Sequence, residues 1–581
     1  MKIKLIFLLP IPLIILGSIF LLKMGFEQKE LKSQCNKDYY ILFDNSSEFV
    51  QKKLSNMTLR EKIAQMVISS VVPENLNENS SEFKKLKKLC EDNKIGGFIF
   101  FKGSAFDYAR ISNKLQSYSE TPLLISADFE RGTKMRVSDG ALFPNNMAIG
   151  AANNPEFCYK MGLEVARETR LLGVHQNYAP VCDVNNNPNN PIINVRSFGE
   201  DPVLVSRMSE AMIKGLQEGK VVATAKHFPG HGDTEIDSHK DLPVLNFSMD
   251  RLNSIELVPF KNAIDKNVMS VMTAHLSFPE LESEPNVPAS LSANIIEGLL
   301  INKLGFNGLT VTDALNMKGI TKYFSTSEVA VMCVKAGIDL ILMPLNEETT
   351  IDAIESAVIN GKISEKRIDR SVEKILKTKE WLGLFENKYV QEADIWKTIN
   401  TEEANKLAQQ IADESITLVK DENNILPFKE SSKKTALIVI SEGGESDNIS
   451  YLNTNTSQYL NNYDFISSAY FDISSVGYYG NIIIAIYAKV RYGTGKISIS
   501  RENISLINQI SHMHGGTVAV SFGNPYLLKE FPEVPAYISA YGDSDVSINA
   551  VLKAVTGKIK FKGRLPVSIT ENYKFGSGIN K

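Results

Sequence analysis

Val221-Val222-Ala223-Thr224-Ala225-Lys226-His227-Phe228-Pro229-Gly230-His231-Gly232-Asp233-Thr234, with Asp237-Ser238-His239 close behind, is the stretch on which the reading of this chain turns. A β-branched, apolar run ends abruptly in a lysine and a histidine. Three of the seven histidines then fall within thirteen residues. Two kinds of chemistry fit such a cluster. His227 and His231 stand four apart, as zinc ligands do on a helix. Pro229, Gly230 and Gly232 oppose a helix there, which removes the geometry that would bring both imidazoles to one ion. The other reading is a strand that ends at the mouth of a barrel and runs into a glycine-rich loop carrying Asp237 and His239.

Working outward, similar short apolar runs recur, each closed by a polar or charged residue. They are Ile95 to Phe101, Leu123 to Ala127 before Asp128, Val174 to Val181 near Asp183, Ser270 to Ala274 before His275, Leu309 to Thr312 before Asp313, and Asp339 to Met343. Ile63 to Ile68 supplies a first strand and brings the count to eight. Helix-length segments lie between them, among them Asn153 to Leu172, Pro202 to Glu218 and Ser248 to Lys266. Alternation of this kind predicts an α/β fold, a (β/α)8 TIM-type barrel over 53–398, whose chemistry sits at the strand C-termini. A doubly wound open sheet is the alternative, but no glycine-rich dinucleotide or phosphate-loop signature accompanies it.

Beyond residue 399 the pattern predicts a smaller α/β sandwich domain, 399–581. A helix is expected over Glu402 to Val419, strands at Ala436 to Ile440, Ile482 to Ala488, Thr517 to Ser521 and Ala536 to Ala540, and a helix over Val546 to Val555. Asn185 to Asn187 and Asn453 to Asn462 read as surface loops.

The N-terminus carries Lys2 and Lys4, then an uncharged run from Leu5 to Leu22 closed by Lys23. Eighteen residues are just enough to span a bilayer, although Pro10 and Pro12 are unusual in a helix. A cleaved signal peptide competes with an uncleaved anchor, and no small-x-small cleavage site follows the run. Residues 1–26 are therefore expected to be an anchor or signal peptide, 27–52 a linker, and the catalytic part to be exported to the cell envelope, anchored at the inner membrane or released to the periplasm or outside. The whole chain, 43% hydrophobic with a net charge of -4, has ordinary globular composition apart from that segment and gives no reason to expect nucleic acid as a partner. Five scattered cysteines, 35, 90, 158, 182 and 333, describe no disulfide framework.

From about Met57 onward the chain resembles glycoside hydrolase family 3, in particular its bacterial β-N-acetylglucosaminidases. The resemblance rests on Lys226 to Thr234 followed by Asp-Ser-His, on Asn194-Val195-Arg196-Ser197-Phe198-Gly199, on Val311 to Met317, and on Asp128, Glu130 and Arg136. It departs at Asp128-Phe129-Glu130-Arg131-Gly132-Thr133, where such enzymes often read Asp-Gln-Glu-Gly-Gly-Arg.

The resemblance implies a retaining reaction in which Asp313 attacks the anomeric carbon to form a covalent glycosyl-enzyme. Retaining enzymes usually set two carboxyls about 5–5.5 Å apart. Here the resemblance replaces the second with His239, oriented by Asp237. An imidazole with an ordinary pKa near 6.5 gives and takes a proton around neutrality. Asp128, Arg136, Arg196, Lys226 and His227 are the implied sugar-binding groups. Taken singly, Arg196 could pair with Glu200 or Asp201, Asp128 could merely end a strand, and Asp237 and His239 could cap a loop. No metal or cofactor is expected. The expected partner is a carbohydrate, GlcNAc-containing glycan or muropeptide, met by a monomer. The same family holds β-glucosidases and β-xylosidases, and a barrel that has lost activity would serve only as a wall-binding protein.

Overall fold

Eight strands, buried on both faces and mostly apolar, curl into a parallel barrel, each separated from the next by helical segments that cover it. The computed structural model describes residues 46–236, 240–429, 431–441, 447–488 and 498–581. The expected anchor and most of the linker, with Cys35, lie outside them, as do Asp237, Ser238 and His239. Among the described residues no helix is long and apolar enough to cross a membrane.

The barrel strands are β1 Val67–Val71, β2 Gly97–Phe100, β3 Leu124–Ala127, β4 Gln176–Asn177, β5 Val222–Phe228, β6 Ser270–Thr273, β7 Leu309–Thr312 and β8 Ile341–Leu342. They pair in parallel in sequence order, β8 pairs with β1, and a bridge from Val311 to Leu340 joins β7 to the strand beside it. Helix starts follow local chemistry. Asn154 and Asp201 cap the helices Pro155–Leu171 and Pro202–Glu218, each with proline at its first position.

Several expected boundaries shift. The run Ile63 to Ile68 is not one strand: Thr58 and Glu61 form a capping box, so Leu59–Gln65 is helical and β1 begins only at Val67. The helix expected over Ser248 to Lys266 breaks at Ile255 and Glu256 into Met249–Ser254 and Leu257–Asp265. Of Val174 to Val181 only Gln176–Asn177 forms a regular strand, and Pro180 brings no N–H to a ladder. The chain nevertheless stays beside β5, since Thr224 N donates to Ala179 O at 2.8 Å and Cys182 N to Lys226 O at 2.7 Å. That path delivers Asp183 next to His227.

The second domain is a six-stranded sheet built from β9 Thr417–Asp421, β10 Thr435–Ser441, β11 Tyr463–Ser467, β12 Asn481–Tyr487, β13 Thr517–Ser521 and β14 Ala536–Ser539. Its order is β11-β10-β12-β13-β14-β9, parallel except for the antiparallel β14–β9 pair. The first helix stops at Ser415, and Thr417 to Val419, read from sequence as its end, instead begin β9, because β-branched and apolar residues pair there with β14. Asn453 to Thr456 lie in the helix Asp447–Thr456 rather than in a loop. Alternate residues of β10, Leu437 and Val439 against Ala436, Ile438 and Ile440, enter separate cores on the two faces. A third small core joins the domains, packing Met147, Ala148 and Ala151 of the barrel against Tyr526, Tyr541 and Val567.

Candidate active site

At the C-terminal end of β5, Lys226 is almost wholly buried and its Nζ lies 2.9 Å from both Asp128 Oδ1 and Glu130 Oε1. Arg196 grips the same glutamate with two bonds, Nη2 to Oε1 at 2.6 Å and Nε to Oε2 at 3.0 Å. Arg136 donates to Asp128 Oδ2 at 3.2 Å and lies over the Phe101 ring. Five charged side chains from three strand ends thus form one network of charge-assisted bonds. Burial by itself opposes charge at Lys226 and Glu130, but the partners win: Asp128 and Glu130 raise the ammonium, and Arg196 and Lys226 hold Glu130 well below the usual carboxylate range. Arg196 therefore pairs with Glu130 and not with Glu200 or Asp201. Glu200 instead accepts from Ser568 of the second domain.

The departure at Phe129 to Thr133 leaves this network in place. Asn177 of β4 clamps the Phe129 peptide from both sides, Oδ1 accepting from its N–H at 2.9 Å and Nδ2 donating to its carbonyl at 3.1 Å. The Phe129 ring is buried beside Tyr108, and Arg131 donates to Phe143 O at 3.2 Å. An apolar ring takes the position of a polar side chain while Glu130 keeps its place.

His227 turns to Asp183, with Nδ1 2.7 Å from Oδ2. Asp183 Oδ1 also accepts the backbone N–H of His227 at 3.1 Å and of His231 at 2.7 Å, so one buried carboxylate fixes the whole glycine-rich loop. Burial, and then His227, push the His231 imidazole down to about 4, so it is neutral at ordinary pH. Gly230 has φ of +141°, and a Cβ on Gly232 would stand 1.7 Å from Val184 O, so neither position takes a side chain without moving the loop. Among the described residues no group of three or more histidine, cysteine or carboxylate side chains is placed to hold a metal. His227 and His231 converge on Asp183 instead.

Asp313 follows β7 and is half-buried, with Oδ1 accepting from Ala314 N at 2.7 Å. Burial raises its pKa, but His275, His227, the Ala314 amide and Lys226 together bring it down to about 2, so it is ionised at any working pH. His275, to which sequence assigned no role, bonds through Nε2 to Ala314 O at 3.0 Å and through Nδ1 to Ser290 Oγ at 2.7 Å. It ties down the peptide next to Asp313.

Asp128, Arg136, Arg196, Lys226 and His227 are therefore brought to one mouth with Asp313. Asp237 and His239 lie outside the described residues. Sequence reading missed Asp183, though it named it as a strand end, and Asn177. Asn185, expected in a surface loop, is buried and donates to Tyr526 Oη at 2.9 Å. The four described cysteines are buried free thiols.

A barrel mouth holding an ionised carboxylate beside a fixed array of charged hydrogen-bonding groups is suited to binding and cleaving a polyhydroxylated substrate. Residues 58–378 match the glycosyl hydrolase family 3 N terminal domain. β-Hexosaminidase A of Pseudoalteromonas piscicida is 33% identical over 387 residues, 61% of this chain and 64% of that protein, so the chain spans under two thirds of that relative. A β-N-acetylglucosaminidase/β-glucosidase of Cellulomonas fimi is 28% identical across 91% of this chain and 97% of its own. The solved structure of a family 3 β-N-acetylglucosaminidase from Paenibacillus sp. str. FPU-7 superposes with a TM-score of 0.77 at 33% identity, covering 88% of this chain and 99% of that one. The chain belongs to glycosyl hydrolase family 3.

Proposed function

We propose that the protein is a retaining exo-β-N-acetylglucosaminidase that removes terminal β-linked GlcNAc, with peptidoglycan fragments as its natural source. The observation that carries the reading is Asp313, held as a carboxylate at a strand end next to His227, Lys226 and the paired charges behind them. Asp313 attacks the anomeric carbon, His239 protonates the leaving oxygen and later takes a proton from water, and Asp237 orients its ring. Asp128, Arg136, Arg196, Lys226 and His227 hold the hydroxyls of the terminal sugar. The name of the Paenibacillus relative supports GlcNAc as that sugar, and the name of the P. piscicida relative supports a hexosamine. Export, with residues 1–26 as anchor or signal, places the enzyme at such a substrate.

A β-glucosidase is the second reading, favoured by the double name of the C. fimi relative. The full chain assayed on aryl β-GlcNAc and aryl β-glucoside separates them. Fast GlcNAc release with little glucose release is expected, and Asp313→Asn lowers kcat/KM by at least about a thousandfold. Equal rates on both sugars would favour the second reading. No cleavage of either by the parent, with the variant unchanged, would leave a glycan-binding role.

A further inference from the structure

The chain that leaves β5 returns to the barrel wall through residues 231–247, and Asp237 and His239 fall within that excursion. Side chains of neighbouring segments tie down both of its limbs. On the outgoing limb, Asn190 Nδ2 donates to His231 O at 2.9 Å, and Asp233 accepts from Asn187 Nδ2 at 2.9 Å and from Arg251 Nη2 at 2.5 Å. On the return limb, Leu245 N donates to Ser277 O at 2.8 Å and Ser277 N to Pro243 O at 2.9 Å, just beyond β6. Arg251 meets both limbs, since its guanidinium carbon also lies 3.8 Å from the Phe247 ring centroid, and the buried Glu256 pairs with it from behind. One further tie leads elsewhere. Asp241, two residues beyond His239, accepts from Tyr323 Oη at 2.7 Å and from Lys322 Nζ at 2.8 Å. Lys322 and Tyr323 follow the short helix Lys318–Thr321, in the same connection that leaves β7 at Asp313. The tie therefore joins the loop of His239 to the segment of Asp313. Lys322, then Tyr323 and the Leu242 amide, bring the Asp241 carboxyl down to about 2, so it is ionised and accepts both bonds at any working pH.

We propose that Asp241, held by Tyr323 and Lys322, is a positioning residue for the acid/base, fixing the loop that bears His239 against the connection that bears Asp313. The proposal rests on the reading of His239 as the proton donor. Two residues of chain reach at most about 7 Å, so an anchored Asp241 confines the backbone at position 239. The donor must meet the leaving oxygen while Asp313 takes the anomeric carbon, and a misplacement of about 1 Å between such groups can cost about a hundredfold in rate. Asp241 acts through His239 and exchanges no proton with the substrate. Its side chain is 43% exposed and that of Lys322 54%, and an ion pair so placed adds little to stability. Placement of the loop is what the tie supplies.

The test sets the full chain and its Tyr323→Phe, Asp241→Asn and His239→Ala variants on two aryl β-GlcNAc glycosides. Dinitrophenolate leaves without a proton, whereas phenolate needs one as it departs. Tyr323→Phe and Asp241→Asn should each lower kcat/KM on the phenyl glycoside by about ten- to a hundredfold and on the dinitrophenyl glycoside by less than about twofold. His239→Ala should give the same pattern more strongly. Azide, which attacks the glycosyl-enzyme without help from a base, should restore kcat of all three variants on the dinitrophenyl glycoside. Thermal unfolding of the Tyr323 and Asp241 variants should stay near that of the parent. Equal losses on the two glycosides, or no loss on either, while His239→Ala keeps its leaving-group pattern, would overturn the positioning role and leave the proton donor standing. If His239→Ala shows no leaving-group dependence, or the parent cleaves neither glycoside, the reading of His239 fails and the positioning role falls with it.

Discussion

Glu130 shows how much one residue can carry at this mouth. It is buried, and two cations, Arg196 and Lys226, depend on it. Glu130→Gln keeps the shape and removes the charge, which leaves Lys226 with Asp128 alone. Breaking a buried pair costs roughly 3–5 kcal/mol. A lower denaturation midpoint and a kcat/KM reduced about a hundredfold, chiefly through KM, are therefore expected from chemical denaturation and steady-state kinetics. Of the site residues, those that end apolar runs, Asp128, Lys226, His227 and Asp313, were legible in sequence because a charge after a buried strand is conspicuous. Arg196, Arg136 and Glu130 lie in irregular segments. They were reached only through resemblance, and a partnership such as that of Arg196 with Glu130 could not be assigned, since ion pairing between residues 66 positions apart has no sequence period.

At the scale of elements, the loop after β5 depends on bare backbone. A Cβ on Gly232 would collide with Val184 O, in the segment that also carries Asp183. Gly232→Ala is expected to shift the loop and loosen the His227–Asp183 bond. A fall in kcat of about tenfold or more, with a stability loss of about 1–3 kcal/mol, would show it in kinetics and thermal unfolding. Unchanged kinetics would mean that the loop adapts. The strand pattern itself was readable wherever apolar and β-branched residues dominated a run of four or more, as in β3, β6 and β7. It failed at β4, where only two residues pair regularly, and at Ile63, where a capping box at Thr58 outweighs an apolar run. It failed also at β9, whose strand state depends on a partner more than a hundred residues away.

The whole molecule sets its own pH dependence at the opposite end of the barrel. Lys379 is fully buried, donating to Gln65 Oε1 at 2.6 Å and Gly96 O at 3.0 Å, and burial, with Lys53 nearby, lowers its pKa to about 7 from near 10.5. Between these values the unfolded chain binds the extra proton, so folding stability due to this lysine rises with pH from about 7 to 10.5 and is lost as pH falls through that window. Denaturation of the parent and Lys379→Met at about pH 7 and pH 10 should show the parent gaining relative to the variant at the higher pH, by on the order of a few kcal/mol. A constant difference would mean that the lysine is charged in the fold. By itself the sequence determined the (β/α)8 barrel, the second α/β domain and the strand ends at which chemistry sits, because burial and periodicity are local properties that each segment declares. Only the tertiary structure decided that Asp183 governs the histidine loop, that Glu130 joins Lys226 to Arg196, and that Tyr323 and Lys322 hold Asp241. Each of those depends on which distant segments share a surface, and that is settled by packing of the whole chain and by the pairing of buried charges.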